Sequence, residues 1–271
     1  MRATMGKIQG VIFDWAGTTI DYGSFAPTMV FIDGFRAFGI DITMAEARQP
    51  MGKHKRDHIA EVLSMPAVAE RWRSVRGRTP TDADIDAVFA DFIPRQIEVI
   101  AQYSDPIVGV IAMITNLRAR GIKIGSCTGY TRAMMDALIP SARAKGYEPD
   151  AVVTPDEVPA GRPAPYMIYQ NAIQLGVYPL AALVKVGDTP IDIDEGLNAG
   201  VWTVGVALTG NAVGLRADEI AALDAETLHT KRQAAQATLS AAGAHYVIDS
   251  AAELISIIDD IERRMVQGEQ P

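Results

Sequence analysis

The hydrophobic positions of the chain form short, continuous apolar runs that alternate with longer segments of helical periodicity. Six runs have the length and composition of β-strands, at residues 8–13, 122–127, 151–153, 183–186, 201–206 and 245–248. Strands that are apolar on both faces are typical of a parallel sheet with helices on each side. The pattern therefore predicts an α/β fold with a doubly wound, Rossmann-like and mostly parallel sheet.

Helical patterns separate most of these runs, at residues 108–120, 132–145, 165–175, 192–199 and 251–264. Residues 213–242 are Ala-rich and polar, and we expect them to form helices that flank the last strands.

The segment between the first two strand-like runs differs from the rest of the chain. It contains no convincing strand, and its helical stretches lie at residues 28–38, 44–48, 56–63, 67–75 and 83–101. A crossover between parallel strands needs only one helix. We therefore predict that residues 24–103 form an inserted helical cap domain. Residues 1–23 and 104–271 would form the α/β core, with hinges near 22–24 and 104–106.

Size and charge limit the classes of function. A chain of 271 residues that is 48% hydrophobic can form a core domain with a smaller insertion. The net charge of −8 argues against general nucleic-acid binding, which needs a basic surface. A local basic cluster, Lys53, His54, Lys55, Arg56 and His58, is still compatible with a small anionic substrate.

The single cysteine, Cys127, excludes an intrachain disulfide, and we assign it no chemistry. Residues 1–7 lack the apolar core of a signal peptide, and no apolar run approaches the ~20 residues of a membrane span. We therefore expect a cytoplasmic protein with no membrane or nucleic-acid partner.

Polar residues follow the strand-like runs at Asp14, Thr128, Arg162 and Asp188. Ligands of doubly wound sheets bind outside the C-terminal strand ends. Each residue alone has an ordinary structural alternative, since aspartates form turns and a threonine suits a strand end. Asp192 has the alternative of simply capping the helix that follows it.

Together these segments resemble the four motifs of the haloacid dehalogenase superfamily of phosphotransferases, over essentially the whole chain. The motifs are Asp14-x-Ala16-Gly17-Thr18-Thr19, Ser126-Cys127-Thr128-Gly129, Arg162 within Pro159-Ala160-Gly161-Arg162-Pro163, and Gly187-Asp188-Thr189-x-x-Asp192. The resemblance implies that Asp14 attacks phosphorus and forms an aspartyl-phosphate.

The resemblance also implies a Mg²⁺ cofactor, because an anion that attacks an anion needs charge neutralisation. Asp14, Asp188 and the backbone carbonyl of Ala16 would be its ligands, and Asp192 would hold the loop or a metal-bound water. Thr128 would hydrogen-bond the phosphoryl oxygens. Arg162 would stabilise the nucleophile and the transferring group.

Position 16 departs from the pattern of phosphate-ester enzymes in this superfamily, which carry a second aspartate there. That aspartate protonates the leaving oxygen and later activates water. With Ala16, the chain either is inactive or expels a leaving group that needs no proton from this position.

A more specific resemblance, to the phosphonoacetaldehyde hydrolase family, covers core and insertion alike. It rests on Phe13-Asp14-Trp15-Ala16-Gly17-Thr18-Thr19-x-Asp21-Tyr22-Gly23, Pro50-Met51-Gly52-x-x-Lys55-x-Asp57-His58, Thr128-Gly129-Tyr130-Thr131-Arg132 and Val158-Pro159-Ala160-Gly161-Arg162-Pro163. Members of this family cleave a carbon–phosphorus bond through a Schiff base on a cap lysine. By its position, that lysine is Lys55.

A Schiff base explains why cleavage needs no acidic residue at position 16, where this chain has Ala16. Cleavage of a carbon–phosphorus bond expels a carbanion, and a protonated imine on Lys55 can accept its electron pair as an enamine. The amine must be neutral to attack the aldehyde, and we expect Lys53, Arg56 and partial burial under the cap to lower its pKa. His58, one helical turn on, is a candidate for proton transfer, and a packing histidine is the alternative.

We therefore predict a Mg²⁺-dependent enzyme that converts phosphonoacetaldehyde to acetaldehyde and phosphate, in the degradation of 2-aminoethylphosphonate. The rivals are a phosphatase or phosphomutase, which Ala16 argues against, and a pseudoenzyme, which the retained Asp14, Asp188, Thr128 and Arg162 argue against. The resemblance also implies a homodimer through the cap domain.

Overall fold

The computed structural model describes residues 6–271, and its centre is one sheet of six strands. The strands are β1 (Gly10–Phe13), β2 (Lys123–Cys127), β3 (Ala151–Val153), β4 (Leu183–Gly187), β5 (Trp202–Val206) and β6 (Tyr246–Ile248). They lie in the order β3-β2-β1-β4-β5-β6, and all five neighbouring pairs are parallel. This confirms the predicted doubly wound α/β fold.

The helices are α1 (Phe25–Ala37), α2 (Met44–Arg48), α3 (Lys55–Ser64), α4 (Pro66–Arg76), α5 (Asp82–Ile100), α6 (Val110–Ala119), α7 (Arg132–Ala144), α8 (Tyr166–Leu175), α9 (Pro190–Ala199), α10 (Ala217–Ala221), α11 (Ala225–Ala241) and α12 (Leu254–Val266). Alternate side chains of β1 enter different buried clusters. Val11 and Phe13 pack with residues of α6, α7 and α12, whereas Ile12 packs with residues of α8. The sheet is therefore covered on both faces, as its apolar strands require.

Six helices lie between β1 and β2, and the first five, α1 to α5, form the segment that we call the helical insert. Its interior contains Phe31, Phe35, Trp72 and Phe92, all essentially inaccessible to solvent. The predicted helices of this segment are therefore confirmed. Its division from the core as a separate domain stays a prediction.

The two chain segments that lead into and out of the helical insert run side by side. Ile20 and Pro106 form an antiparallel bridge, and the Ile107 amide donates to the Thr19 carbonyl over 2.9 Å. Asp21 begins the first connection, and its carboxylate accepts from the amides of the first turn of α1 at 3.1 and 2.9 Å. Burial raises the pKa of Asp21 to about 7. The predicted hinge positions thus adjoin one another.

Four predicted helix starts were wrong by two or three residues, including those of α1, expected at 28, and α9, expected at 192. The helix expected at 108 begins at Val110, because Gly109 has a φ of 87° and lies outside the helical region. The helix expected at 251 begins with a 3₁₀ turn, Ala251–Glu253, before α12. Two predictions concern residues 1–5: that they lack the apolar core of a signal peptide, and that they belong to the α/β core. Both lie outside the described residues. From residue 6 onward, no helix is long and apolar enough to cross a membrane.

Candidate active site

A small pocket lies at the C-terminal ends of β1 and β4. These neighbouring strands are where the strand order reverses, which is the usual ligand position in such sheets. The sheet and its loops contribute Asp14, Ala16, Thr128, Arg162 and Asp188, and the helical insert contributes Met51, Gly52 and Lys55. The structure therefore brings most of the predicted site residues together in one cavity.

Two carboxylates, Asp14 and Asp188, face the pocket and are almost fully buried. Asp188 accepts hydrogen bonds from the Thr18 hydroxyl at 3.2 Å and the Asn211 amide at 2.7 Å. Burial raises the pKa of Asp14, although Arg162 opposes this effect. Burial and then the negative charge of Asp14 raise the pKa of Asp188 well above its usual range. Among the described residues, only Arg162 forms an ion pair with either carboxylate, and it does so with Asp14, so the two remain short of positive charge.

A divalent cation would supply that charge, and the residues present fit one. Ligand oxygens of Asp14, Asp188 and Asp192 lie within 4.8 Å of one another. Carboxylate oxygens are the ligands that Mg²⁺ prefers. Ala16 lines the same pocket, and the predicted use of its backbone carbonyl as a ligand stays a prediction.

Asp192 is more strongly engaged by protein groups than the other two carboxylates. Its Oδ2 accepts from the amide and the hydroxyl of Thr189, at 3.2 and 2.5 Å, and so caps α9. Its Oδ1 lies 2.9 Å from both Arg162 and Lys185. Burial disfavours the charge of Asp192, but the two cations outweigh it and lower its pKa. Asp192 therefore does cap the helix, and metal binding by it stays a prediction.

Arg162 is completely buried and links the pocket to three carboxylates. Its Nη2 donates to Asp14 Oδ1 at 2.8 Å and to the Cys127 carbonyl at 2.9 Å. Its Nε donates to Glu195 Oε2 at 2.9 Å, and its Nη1 pairs with Asp192. These anions hold the pKa of Arg162 well above its usual range against the cost of burial. The guanidinium is thus a permanent charge beside Asp14.

Sequence analysis missed two members of this group, Lys185 and Glu195. Both are inaccessible to solvent, and the Lys185 amine lies 3.1 Å from Glu195 Oε2. Two signals could have revealed them. Lys185 is a charged residue in the middle of an apolar central strand, and Glu195 lies three residues after Asp192 on one face of α9.

Cys127, to which the sequence assigned no chemistry, also belongs to this buried group. Its thiol lies 3.1 Å from the Lys185 amine and 3.3 Å from Glu195 Oε2. Burial and then the charge of Glu195 raise the pKa of the thiol to about 11. The thiol therefore stays neutral at physiological pH, so it is a poor nucleophile.

Lys55 is the first residue of α3, and its amine faces the pocket from the helical insert. It is 2% exposed, and it forms no ion pair with any carboxylate of residues 6–271. Its amine lies 4.9 Å from the ring centroid of Tyr130 and 5.5 Å from that of Phe31. Burial lowers the pKa of Lys55 to about 7, with Asp14 opposing and Arg162 assisting.

Burial, one of the predicted causes of this low pKa, is its largest cause, whereas the contribution expected from Lys53 and Arg56 was wrong. Lys53 pairs with Glu61 and Arg56 pairs with Asp86, so neither cation is free to act on Lys55. The burial of Lys55 is also nearly complete, although only partial burial was predicted. The local basic cluster therefore does not face the substrate as a unit, because Lys55 alone of its members lines the pocket.

His58 lies within the helical insert behind Lys55. Its Nε2 is 2.9 Å from the Ala47 carbonyl oxygen, and its ring stacks on Phe31 at 3.8 Å between centroids. Burial and then Lys55 lower the pKa of His58 well below its usual range. The histidine therefore stays neutral and packed, and its role in proton transfer stays a prediction.

The helical insert seats tightly on the loops of the sheet, and two glycines permit this approach. A Cβ at Gly129 would lie 2.6 Å from the Lys53 carbonyl oxygen. Gly52 has a φ of 92°, and a Cβ there would lie 2.5 Å from the Thr189 hydroxyl. Thr128 precedes Gly129, and its hydroxyl accepts from the amide of Tyr130 at 3.1 Å. The hydroxyl hydrogen of Thr128 is thus left to donate into the pocket.

Known proteins resemble this chain over its full length. A family model for haloacid dehalogenase-like hydrolases matches residues 8–200. A phosphonoacetaldehyde hydrolase from Salmonella gallinarum is 51% identical over 269 residues, covering 98% of this chain and 100% of the relative. Another from Nitratidesulfovibrio vulgaris is 46% identical over 270 residues, covering 100% and 96%. A crystal structure of a phosphonoacetaldehyde hydrolase-like protein from Oleispira antarctica superposes with a TM-score of 0.97 at 42% identity, covering 98% of this chain and 97% of the other.

Proposed function

The chain belongs to the phosphonoacetaldehyde hydrolase family of the haloacid dehalogenase-like hydrolases, and we propose that it hydrolyses the carbon–phosphorus bond of phosphonoacetaldehyde. The products would be acetaldehyde and phosphate. The observation that carries this proposal is the position of Lys55, a buried amine with a pKa of about 7 in the same cavity as Asp14.

The first half of the reaction takes place on Lys55. The neutral amine attacks the aldehyde carbon to give a carbinolamine, which loses water to form an imine. Uptake of one proton at nitrogen converts this imine to an iminium. The iminium carbon is bonded directly to the carbon that bears phosphorus. It can therefore accept the electron pair of the carbon–phosphorus bond, and no acid is required at Ala16.

The second half takes place on Asp14. Its carboxylate attacks phosphorus, the carbon–phosphorus bond breaks, and the electron pair moves into the iminium to form an enamine. Water then cleaves the aspartyl-phosphate. Protonation of the enamine at carbon and hydrolysis of the imine release acetaldehyde and restore the amine.

Charged and polar groups around Asp14 would stabilise the transferring group. Arg162 neutralises negative charge beside the nucleophile, and the Thr128 hydroxyl is placed to donate to a phosphoryl oxygen. Mg²⁺ would be held by Asp14 and Asp188, with the Ala16 carbonyl and Asp192 as further predicted contacts. When bound, it would offset the repulsion between an anionic nucleophile and an anionic substrate.

The decisive experiment compares phosphate release from phosphonoacetaldehyde and from p-nitrophenyl phosphate, with and without Mg²⁺. We expect Mg²⁺-dependent release from the phosphonate and little from the ester, because Ala16 cannot protonate an ester oxygen. Asp14→Asn should abolish phosphate release but retain the borohydride-trapped imine on Lys55. The reverse substrate preference would instead support a phosphatase.

From the family resemblance, we also propose a cytoplasmic homodimer that associates through the helical insert and acts in 2-aminoethylphosphonate degradation. Sedimentation analysis of the purified protein tests the assembly. A monomer at micromolar concentration would contradict this part of the proposal.

A further inference from the structure

Directly behind Asp14 lies a group of four fully buried charges, which we call the buried quartet: Arg162, Lys185, Asp192 and Glu195. Arg162 pairs with Asp192 and Glu195 at 2.9 Å each. Lys185 pairs with the same two carboxylates at 2.9 and 3.1 Å. The quartet has two positive and two negative charges and is therefore neutral by itself.

We propose that Glu195 is a positioning residue that orients Arg162, and that the neutrality of the buried quartet leaves the negative charges of Asp14 and Asp188 for a divalent cation. This inference rests on the proposed function, since it assigns a task to Arg162 in phosphoryl transfer. Neither Glu195 nor Lys185 lines the pocket, so Glu195 acts through Arg162, and Lys185 acts through the carboxylates of Asp192 and Glu195.

The orientation of Arg162 matters because its donors lie in a rigid plane. Arginine tends to bind a carboxylate through two parallel hydrogen bonds. Here Nε donates to Glu195, and only Nη2 contacts Asp14, at 2.8 Å. Without the Glu195 acceptor, the guanidinium could turn both donors onto Asp14. That would occupy the oxygen that must attack phosphorus.

Lys185 completes the charge balance. Without Lys185, Arg162 would be the single cation that faces three carboxylates, those of Asp14, Asp192 and Glu195. Gly196 allows α9 to pack closely on the strands at this point, because a Cβ there would lie 2.4 Å from Thr203 Cγ2 and 3.1 Å from the Lys185 Cβ. A divalent cation then meets two uncompensated carboxylates instead of a larger negative cluster.

The test uses three variants, Glu195→Leu, Lys185→Met and the double variant that combines them. Replacing a buried ion pair by apolar residues of similar size often preserves stability. We expect the double variant to fold stably but to lose kcat by about 100-fold, the usual cost of a misplaced catalytic group. KM and borohydride trapping at Lys55 should stay near wild-type levels. If the double variant is stable and has wild-type kcat, Glu195 only balances charge, and its proposed role in orienting Arg162 is overturned.

Mg²⁺ affinity, measured by calorimetry without substrate, tests the charge balance separately. Glu195→Leu leaves one excess positive charge and should weaken Mg²⁺ binding by at least about tenfold, because like charges repel strongly at low dielectric. Lys185→Met should strengthen it, and the neutral double variant should resemble the wild type. Unchanged affinity in both single variants would overturn this part.

Two further measurements keep the outcomes distinct. If the double variant does not fold, Glu195→Gln replaces it, because the amide oxygen keeps the shape and the acceptor for Arg162 Nε. Glu195→Gln should then lose clearly less kcat than Glu195→Leu, and equal losses would overturn the orienting role. Absence of a trapped imine in the wild type would refute the proposed function, whereas the Mg²⁺ titrations would still test the charge balance.

Discussion

Two buried lysines, one in the sheet and one in the helical insert, have opposite charge states. Lys185 in β4 and Lys55 in α3 are each at most 2% exposed, and burial disfavours the charge of both. For Lys185, the carboxylates of Asp192 and Glu195 outweigh burial and raise its pKa. For Lys55 burial prevails, and its pKa falls to about 7. The partners of a buried lysine therefore decide whether it is a fixed charge or a nucleophile.

The difference arises from the elements that face each lysine. Lys185 faces α9, which carries Asp192 and Glu195 three residues apart on one side of the helix. Lys55 faces the aromatic rings of Phe31 and Tyr130. An aromatic face attracts a cation, but it contributes far less than a buried carboxylate.

The largest expected effect is the loss of catalysis on changing Lys55. Lys55→Arg keeps a cation but cannot form an imine, because guanidinium stays protonated. We expect turnover to fall by at least about a thousandfold, which corresponds to roughly 4 kcal/mol of barrier. Incubation with acetaldehyde and borohydride, followed by mass spectrometry of peptides, should find the adduct on Lys55 in the wild type and none in the variant.

Lys53→Arg is the matched control, since Lys53 pairs with Glu61 outside the pocket. It should retain both trapping and turnover. An adduct on Lys53 in the wild type would contradict the assignment of Lys55. An adduct on Lys185 would contradict the comparison itself, because a protonated, ion-paired amine does not attack an aldehyde.

The second prediction concerns stability and applies one substitution at both positions. Lys185→Met leaves Asp192 and Glu195 short of positive charge, and it should lower the free energy of unfolding by roughly 3 to 5 kcal/mol. Lys55→Met removes an amine that has no ion pair, so it should leave this free energy unchanged or raise it. Urea unfolding of the two variants at pH 7 measures both effects. A similar loss in both would mean that Lys55 is structurally required.

The size of the Lys55 effect on stability also depends on pH. The folded amine binds a proton only below about pH 7, whereas its usual pKa is 10.5. The cost of burying Lys55 therefore grows as the pH falls from 10.5 to 7 and is constant below that. The stability difference between wild type and Lys55→Met should widen over that same interval.

The sequence predicted the fold well because its signals are local. Apolar runs identified all six strands, and the absence of such a run between β1 and β2 identified the helical insert. Helix starts were less accurate where a single backbone angle decides them, as at Gly109. Periodicity reports the buried face of an element, and it carries little information about the residue at which the element begins.

The site was predicted less completely because its electrostatics depend on long-range contacts. Motifs placed Asp14, Lys55 and Asp188 around one pocket, since the carboxyl ends of parallel strands meet at one edge. No local pattern showed that Lys53 would pair with Glu61, so Lys53 was wrongly expected to join burial in lowering the pKa of Lys55. Lys185 is similar, because a lysine in an apolar strand becomes understandable only when its partners on α9 are known.

The third prediction concerns the pH dependence of imine formation. Only the neutral amine attacks, so half of Lys55 is reactive near pH 7 and the reactive fraction falls tenfold for each further unit of acidification. The initial rate of acetaldehyde trapping should therefore fall about tenfold between pH 6 and pH 5. Trapping that rises only near pH 10 would show that Lys55 has an ordinary pKa and would remove the contrast with Lys185.

The smallest expected effect comes from giving Lys55 a carboxylate of its own. Ala16 lines the same pocket, so Ala16→Asp adds a negative charge to the environment of Lys55. Such a charge favours the protonated amine, and we expect the pKa of Lys55 to rise by up to about one unit, or about 1.4 kcal/mol. Trapping at pH 7 should slow by less than about tenfold, and its pH profile should shift towards alkaline pH by up to about one unit.

Ala16→Asn is the control of similar size without charge, and its profile should stay in place. The added aspartate should also fail to improve carbon–phosphorus cleavage, because the enamine leaving group needs no acid at position 16. A marked rise in cleavage by Ala16→Asp would contradict that account. An unshifted profile would mean that burial alone sets the pKa of Lys55, and that partners do not explain its difference from Lys185.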